Sequence, residues 1–146
     1  LATLLAVGSS KKRQLYYIAR NADPKTYWTV DPQHRSLIRL DPDKTTVWSV
    51  NKDGHAYSIS PYDDNDVDLH TSLVTYNGIH RLITLNGTSG TTAEQRWKFV
   101  PDESQFVAIQ STKVKTQYVN INYFNNYPHL GSGLQRQAQW KLEKAN

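Results

Sequence analysis

The sequence predicts a single all-β domain, and two observations lead to this prediction. No long segment of the 146-residue chain places apolar residues at helical spacing. Instead, short runs of alternating, β-branched or aromatic residues are separated by Asp, Pro, Asn and Gly, which favour turns. The length suits one hydrophobic core, and four Trp, nine Tyr and three Phe supply large side chains to fill it.

Twelve short segments have this strand character, and turn-forming residues separate them. They lie at residues 15–20, 27–30, 37–40, 47–50, 56–60, 73–76, 82–85, 96–100, 106–110, 118–121, near 129–130, and 139–142. The turns include Asp-Pro pairs such as Asp23-Pro24 and Asn-Gly pairs such as Asn77-Gly78. The regular succession of strands and turns prompts a search for internal repeats.

The strands fall into three sets of four, and the last strand of each set is centred on Trp48, Trp97 or Trp140. From the second position of each set's second strand to the closing tryptophan, the distance is 20 residues (28 to 48), 23 residues (74 to 97) and 21 residues (119 to 140). Three units of four strands fit a closed barrel capped by hairpins, which leaves no exposed sheet edge.

This arrangement predicts the β-trefoil architecture. The predicted domain covers residues 15–146 and follows an N-terminal extension at 1–14. Its three repeats are expected at about 15–54, 55–104 and 105–146.

The segment Gln95-Arg96-Trp97 follows an aliphatic strand at residues 82–85. With this Gln-x-Trp element after an aliphatic strand, the chain resembles the ricin-B-type β-trefoil family. In that family a Gln-x-Trp element closes each repeat, whereas Thr46-Val47-Trp48 and Ala138-Gln139-Trp140 keep only the tryptophan. Without cysteine, the chain is more similar to the fungal lectin and protease-inhibitor trefoils than to disulfide-bearing plant toxin chains. The resemblance implies binding of a glycan or of a protease.

The tryptophans that close the repeats are expected to fill the core around the pseudo-threefold axis, because burial removes a large apolar surface from water. Trp28 has no counterpart in the other two repeats. It is therefore expected either in the core or as an exposed platform on which a ligand could stack.

Catalysis is not expected. The chain has no nucleophile elbow and no phosphate-binding glycine loop, and its five histidines lack metal-ligand spacing. The acidic run at 63–68 lacks the glycine and the terminal glutamate of a calcium loop, which favours a solvated loop. The sequence therefore predicts a non-enzymatic protein without a metal or another cofactor.

The net charge of +4 comes from interspersed residues, 17 basic and 13 acidic, so no nucleic-acid partner is expected. No apolar run approaches the roughly 20 residues that span a bilayer, so no membrane insertion is expected. The chain begins at Leu1 and contains no methionine, which favours a processed or incomplete amino terminus. A cytoplasmic and a secreted location both remain open.

Sugar binding is the leading site hypothesis, because sugars require planar polar groups that reach several hydroxyls beside an aromatic face. The third repeat is rich in such residues, and Asn120 corresponds by position to the residue with which ricin-type sites hold galactose hydroxyls. Its equivalents in the first two repeats are expected at Thr29 and Thr75. The predicted site for galactose- or N-acetylgalactosamine-type glycans comprises Asn120, Tyr123, Asn125, Asn126, Tyr127, His129 and Gln137.

A secondary sugar site is predicted in the second repeat at Asn77, His80 and Asn86. The alternative function is protease inhibition, in which Lys25 or Arg35 would enter a protease pocket from a proline-stiffened turn. Agglutination requires two sites, so one well-equipped repeat also favours a homodimer.

Overall fold

The computed structural model describes residues 14–62, 69–76, 80–87, 92–102, 105–121 and 126–145. Within these residues the structure is all-β, with twelve strands and two short 3-10 helices, Ala93–Gln95 and Arg136–Ala138. The strands are β1 (Gln14–Arg20), β2 (Tyr27–Val30), β3 (Ile38–Asp41), β4 (Trp48–Asp53), β5 (Ala56–Pro61), β6 (His70–Tyr76), β7 (His80–Asn86), β8 (Trp97–Pro101), β9 (Val107–Ser111), β10 (Tyr118–Ile121), β11 (Pro128–Gly131) and β12 (Trp140–Lys144). Neither helix found there has the length or apolar character needed to cross a membrane.

Six of the strands form a closed ring of antiparallel pairs. Strand β1 pairs with β4 and β12, β4 with β5, β5 with β8, β8 with β9, and β9 with β12. The other six strands form the pairs β2–β3, β6–β7 and β10–β11. Every strand in the ring has a neighbour on both sides, so the ring is a closed barrel without an open edge. The expected all-β class and barrel are confirmed.

Each predicted strand overlaps an observed one, and β6 shows the largest shift at its start. It begins at His70, three residues before the predicted segment at 73–76. Thr71 and Ser72 lie in this additional part, and both are buried. Two consecutive polar residues carry no alternating apolar signal, so tertiary packing decides this boundary rather than local pattern.

All four tryptophans lie in the core, each with at most 1% of its surface exposed. Each burial contributes about 4–6 kcal/mol, from roughly 150–250 Å² of surface at about 25 cal/mol per Å². Trp28 packs edge-on against Trp48 and Trp140, with ring centroids 5.7 and 5.6 Å apart. Of the two expectations for Trp28, the core position is therefore the correct one.

The closing tryptophans each donate an indole hydrogen bond to the second residue of a hairpin strand. Trp48 Nε1 donates to the Trp28 carbonyl and Trp140 Nε1 to the Val119 carbonyl, both at 2.9 Å. Trp97 Nε1 donates to Thr71 Oγ1, also at 2.9 Å. By this contact Thr71, rather than Val74, corresponds to Trp28 and Val119.

This correspondence changes which residues match Asn120. The next residues along the three strands are Thr29, Ser72 and Asn120, and all three are buried polar residues. Thr75, the expected counterpart in the second repeat, is exposed. Ser72, and not Thr75, therefore shares the buried environment of Thr29 and Asn120.

Candidate functional site

Asn120 has a buried side chain that fixes the β10–β11 hairpin, with 4% of its surface exposed. Its Nδ2 donates to the carbonyls of Tyr118, Gly131 and Gly133 at 2.9, 3.3 and 3.4 Å. These carbonyls belong to β10, to β11 and to the segment after β11. The amide therefore connects three parts of the backbone.

Gln137 approaches Asn120 because two glycines leave room for both side chains. A Cβ atom at Gly131 would lie 3.3 Å from Asn120 Nδ2. One at Gly133 would lie 3.5 Å from Gln137 Nε2 and 3.7 Å from Asn120 Oδ1. The structure therefore places the side chains of Asn120 and Gln137 close together.

Asn126 and Tyr127 contact the β2–β3 region instead. The Asn126 side chain is exposed. The backbone carbonyl of Asn126 accepts a hydrogen bond from the Leu40 N–H at 2.8 Å. The Tyr127 hydroxyl donates to Asp31 Oδ2 at 3.3 Å. The predicted Tyr123 and Asn125 lie outside the described residues.

His129 lies directly opposite Asn120 in the β10–β11 pair, and on its other side it pairs with Leu82 of β7. Burial lowers the pKa of its imidazole below the ordinary value of 6.5, and a backbone hydrogen bond involving Tyr127 opposes this only in part. The neutral ring, which has one donor and one acceptor nitrogen, is therefore favoured at neutral pH.

The residues predicted for the second repeat are spread along β7. His80 begins the strand and Asn86 ends it, so their backbones are about 20 Å apart along an extended strand. Asn86 is exposed, and Asn77 lies outside the described residues. The structure does not bring His80 and Asn86 together.

A surface cavity of about 470 Å³ lies beside the β2–β3 hairpin and includes residues that sequence reasoning missed. Its volume is in the range typical of small-molecule sites. It combines cationic, anionic, hydroxyl and aromatic side chains around a small apolar surface. The lining residues are Thr29, Val30, Pro32, Arg35, Arg39, Asp41, Asp43, Thr45, Thr46, Val47, Pro61 and Tyr62.

The polar side chains of the cavity are held by a local network. Arg39 donates to Asp41 Oδ2 at 3.2 Å, and the Asp43 N–H donates to Asp41 Oδ1 at 3.0 Å. The Val30 N–H donates to Thr46 Oγ1 at 3.1 Å. These bonds fix the orientation of planar groups before any ligand arrives, which reduces the entropy lost on binding.

Asp31 lies at the end of β2, and only 5% of its surface is exposed. Its Oδ1 accepts the N–H groups of Gln33 and His34 at 2.9 and 3.3 Å. The Gln33 hydrogen bond is the main reason that the pKa of the Asp31 carboxyl is lowered, although desolvation opposes it. Arg39, which lines the cavity, also lowers this pKa through its charge.

The two residues predicted for an inhibitory loop have different surroundings. Lys25 Nζ lies 2.8 Å from Glu143 Oε2, and this hydrogen bond and charge raise the pKa of Lys25. Arg35 is exposed, in a turn closed by the Leu37 N–H donating to the His34 carbonyl at 2.8 Å. Arg35 also lines the cavity. Lys25 is thus engaged within the chain, and Arg35 is presented at the surface.

Two Asp-Pro turns are the sequence signal that could have revealed the cavity. Asp31-Pro32 and Asp41-Pro42 flank β3, and both aspartates accept backbone N–H groups from the residue two positions later. Such turns have a fixed local backbone geometry. Tyr62 offers no comparable signal, because its place at the cavity depends on the pairing of β4 with β5.

In the part of the chain that the structure describes, no group of three or more His, Cys, Asp or Glu side chains is placed to hold a metal ion. The acidic run at 63–68, which was considered for calcium, lies outside that part.

Several solved structures share this fold at low sequence identity. A mosquitocidal holotoxin has a TM-score of 0.76 at 19% identity, and the match covers 92% of this chain and 18% of the toxin. A GlcNAcα1-4Gal-releasing endo-β-galactosidase from Clostridium perfringens has a TM-score of 0.73 at 13% identity, covering 91% of this chain and 33% of the enzyme. The chain thus spans about a fifth and a third of these two proteins. No family model and no curated protein sequence matches the chain.

A third similar structure matches over nearly its whole length. The ricin B-like lectin of Macrolepiota procera in complex with lactose has a TM-score of 0.70 at 13% identity, with 90% of this chain and 95% of the lectin covered. At this identity the likeness concerns the fold alone. The chain therefore has an all-β fold like that of a ricin B-like lectin.

Proposed function

We propose that this chain is a non-catalytic β-trefoil lectin that binds galactose- or N-acetylgalactosamine-type glycans. The trefoil part of the proposal is supported by the closed six-strand ring, the three hairpins and the three equivalent indole hydrogen bonds. In this reading the repeats cover about 15–54, 55–104 and 105–146.

The observation that carries the functional proposal is the cavity beside β2–β3. Arg39, Asp41 and Thr46 present planar or hydroxyl groups whose orientation is already fixed, and Tyr62 adds an aromatic side chain with 36% of its surface exposed. Sugar hydroxyls both donate and accept hydrogen bonds, so a site with carboxylates and guanidinium groups can satisfy several at once. The C–H face of the sugar would lie against the tyrosine ring.

The β10–β11 hairpin, the third hairpin along the chain, is proposed as a second sugar-binding site. His129, Gln137 and Asn126 would provide hydrogen bonds to hydroxyls, and Tyr123, Asn125 and Tyr127 belong to the same proposal. The buried Asn120 would hold the hairpin in place for them, since its Nδ2 is occupied by three carbonyls. With two sites on one chain, agglutination would not require a homodimer.

A glycan array followed by calorimetric titration with lactose and N-acetylgalactosamine tests the proposal. We expect Tyr62→Ala and Arg35→Ala to abolish binding at the cavity, and Gln137→Ala to weaken binding only at the third hairpin. Lys115→Ala is the matched control, because this exposed side chain lies outside both sites. If the folded wild-type protein binds no glycan on the array and neither sugar in solution, the proposed function is wrong.

Inhibition of a protease remains the alternative function. The ion pair of Lys25 with Glu143 does not favour Lys25 as the inserted residue, so this alternative depends on Arg35. Titration of trypsin with the chain would give a stoichiometric loss of activity that Arg35→Ala removes, whereas a lectin leaves trypsin active.

A further inference from the structure

The loop at 42–47, which joins β3 to β4, forms one wall of the cavity. Asp43, Thr45, Thr46 and Val47 line the cavity, but Lys44 is not among the lining residues. The ammonium group of Lys44 instead contacts side chains that lie outside the cavity lining.

Lys44 reaches a site on the barrel that is built for an ammonium group. Its Nζ lies 3.4 Å from Glu143 Oε1 and 5.4 Å from the ring centroids of both Tyr17 and Tyr27. The two rings meet edge to face with centroids 6.5 Å apart. An ammonium near two aromatic rings and a carboxylate is held both by charge and by cation–π attraction.

Glu143 is well placed to act as a rigid anchor. It lies in β12 directly opposite Tyr17 of β1, and only 15% of its side chain is exposed. Its other oxygen, Oε2, binds Lys25 at 2.8 Å, so each carboxylate oxygen has one lysine partner. Burial alone would raise the pKa of Glu143, but the hydrogen bonds and charges of Lys25 and Lys44 lower it.

We propose that Glu143 is a positioning residue for the cavity: it holds Lys44 against Tyr17 and Tyr27 and thereby fixes the wall formed by the 42–47 loop. Glu143 is itself outside the cavity lining. The hydrogen bonds at Asp43 and Thr46 fix the two ends of the loop, and Lys44 fixes its middle. This inference rests on the proposed function, in which the cavity holds the glycan.

The experiment uses the full chain and titrates lactose or N-acetylgalactosamine, whichever the wild-type protein binds more tightly. Glu143→Gln and Lys44→Met are each expected to weaken binding about three- to fivefold, the size of one ordered ion pair. The double variant should be no weaker than either single variant, because both changes remove the same contact. Amide hydrogen exchange should become faster at residues 43–47 in both variants.

Two control variants separate this role from a general loss of stability. Glu94→Gln removes the Lys113–Glu94 pair, which lies outside the cavity, and Lys25→Met removes the other lysine of Glu143. Both are expected to bind the sugar as tightly as the wild type. Glu143→Asp keeps the carboxylate and should bind with intermediate affinity.

The possible results distinguish the two proposals. If the wild type binds neither sugar, or if Tyr62→Ala leaves binding unchanged, the cavity is not the glycan site and the proposed function fails there. If Tyr62→Ala abolishes binding but Glu143→Gln or Lys44→Met binds like the wild type, the positioning role of Glu143 is overturned. Should Glu143→Gln prove too unstable to measure, Lys44→Met decides alone, because its side chain is half exposed.

Discussion

Tyr127 donates its phenolic hydroxyl to Asp31 Oδ2 at 3.3 Å across a sequence separation of 96 residues. The same carboxylate accepts the backbone N–H groups of Gln33 and His34 through Oδ1. Asp31 therefore closes the turn after β2 and also joins that turn to the residue preceding β11. One side chain connects the two regions proposed to bind sugars.

Replacing either partner of this hydrogen bond should lower the stability of the fold, and replacing Asp31 should lower it more than replacing Tyr127. Tyr127→Phe removes one hydrogen bond and is expected to lower the free energy of unfolding by about 1 kcal/mol. Asp31→Ala leaves two turn N–H groups and the tyrosine hydroxyl without this acceptor, so it should be clearly more destabilising. Urea unfolding followed by tryptophan fluorescence measures both. Equal losses in the two variants would contradict the double role of Asp31.

The Asp31 carboxylate should also contribute to the acid sensitivity of the fold. The pKa of Asp31 is lowered from 3.8 by its hydrogen bonds, so its contribution to stability is present above that value. The contribution is lost as pH falls through the pKa of the folded state. Asp31→Asn should flatten the acid limb of a melting-temperature profile, and an unchanged limb in this variant would contradict the contribution of Asp31.

Two of the core tryptophans should respond differently to replacement by phenylalanine. Trp48 Nε1 donates to the Trp28 carbonyl, whereas Trp28 Nε1 is buried without a hydrogen-bond partner in the described part of the chain. Both replacements lose similar ring volume, but only Trp48→Phe loses a hydrogen bond and leaves a buried carbonyl unpaired. We expect Trp48→Phe to be about 1–2 kcal/mol more destabilising than Trp28→Phe in urea unfolding. The reverse order would show that this bond contributes little.

The sequence predicted those features of the structure that depend on residues close together in the chain. Alternation and turn residues located all twelve strands, and the tryptophan spacing indicated which side chains form the core. In β6, however, the polar residues Thr71 and Ser72 occupy buried positions, and the spacing to Trp97 is 26 residues rather than the assumed 23. A local pattern cannot reveal that a threonine hydroxyl serves as the acceptor for an indole.

The candidate site was harder to predict, because its geometry depends on distant segments. An asparagine in a polar, aromatic segment is equally consistent with a ligand contact and with a buried amide. The amide of Asn120 is buried because Gly131 and Gly133 leave room for it. The cavity was missed because its wall joins the 42–47 loop to Tyr62 through the pairing of β4 with β5.

His129 should make stability depend on pH near neutrality. Burial lowers the pKa of its imidazole below 6.5 in the folded chain, so the unfolded chain takes up the proton at a higher pH. Stability should therefore be greatest above 6.5 and should decrease as pH falls through the pKa of the folded state. Melting temperatures across the range in which histidine titrates should decrease less in His129→Gln. A His129→Gln profile as steep as that of the wild type would contradict this role.

Variants of Asn120 test whether its amide stabilises the β10–β11 hairpin or binds the sugar directly. The Asn120 side chain is buried and its two amide N–H groups are shared among three backbone carbonyls, so Asn120→Ala should lower the free energy of unfolding by about 2–3 kcal/mol. Asn120→Asp should be worse, because it directs a carboxylate oxygen at three carbonyl oxygens. Asn126→Ala, at an exposed side chain, should leave stability unchanged.

Sugar titration of the same variants completes this prediction. Because the Asn120 amide is occupied within the hairpin, any loss of binding in Asn120→Ala should accompany its loss of stability and should diminish at lower temperature, where the hairpin refolds. A direct ligand would behave otherwise, since binding would disappear at every temperature while the melting temperature stayed that of the wild type. That second pattern would return Asn120 to the set of residues that contact the sugar.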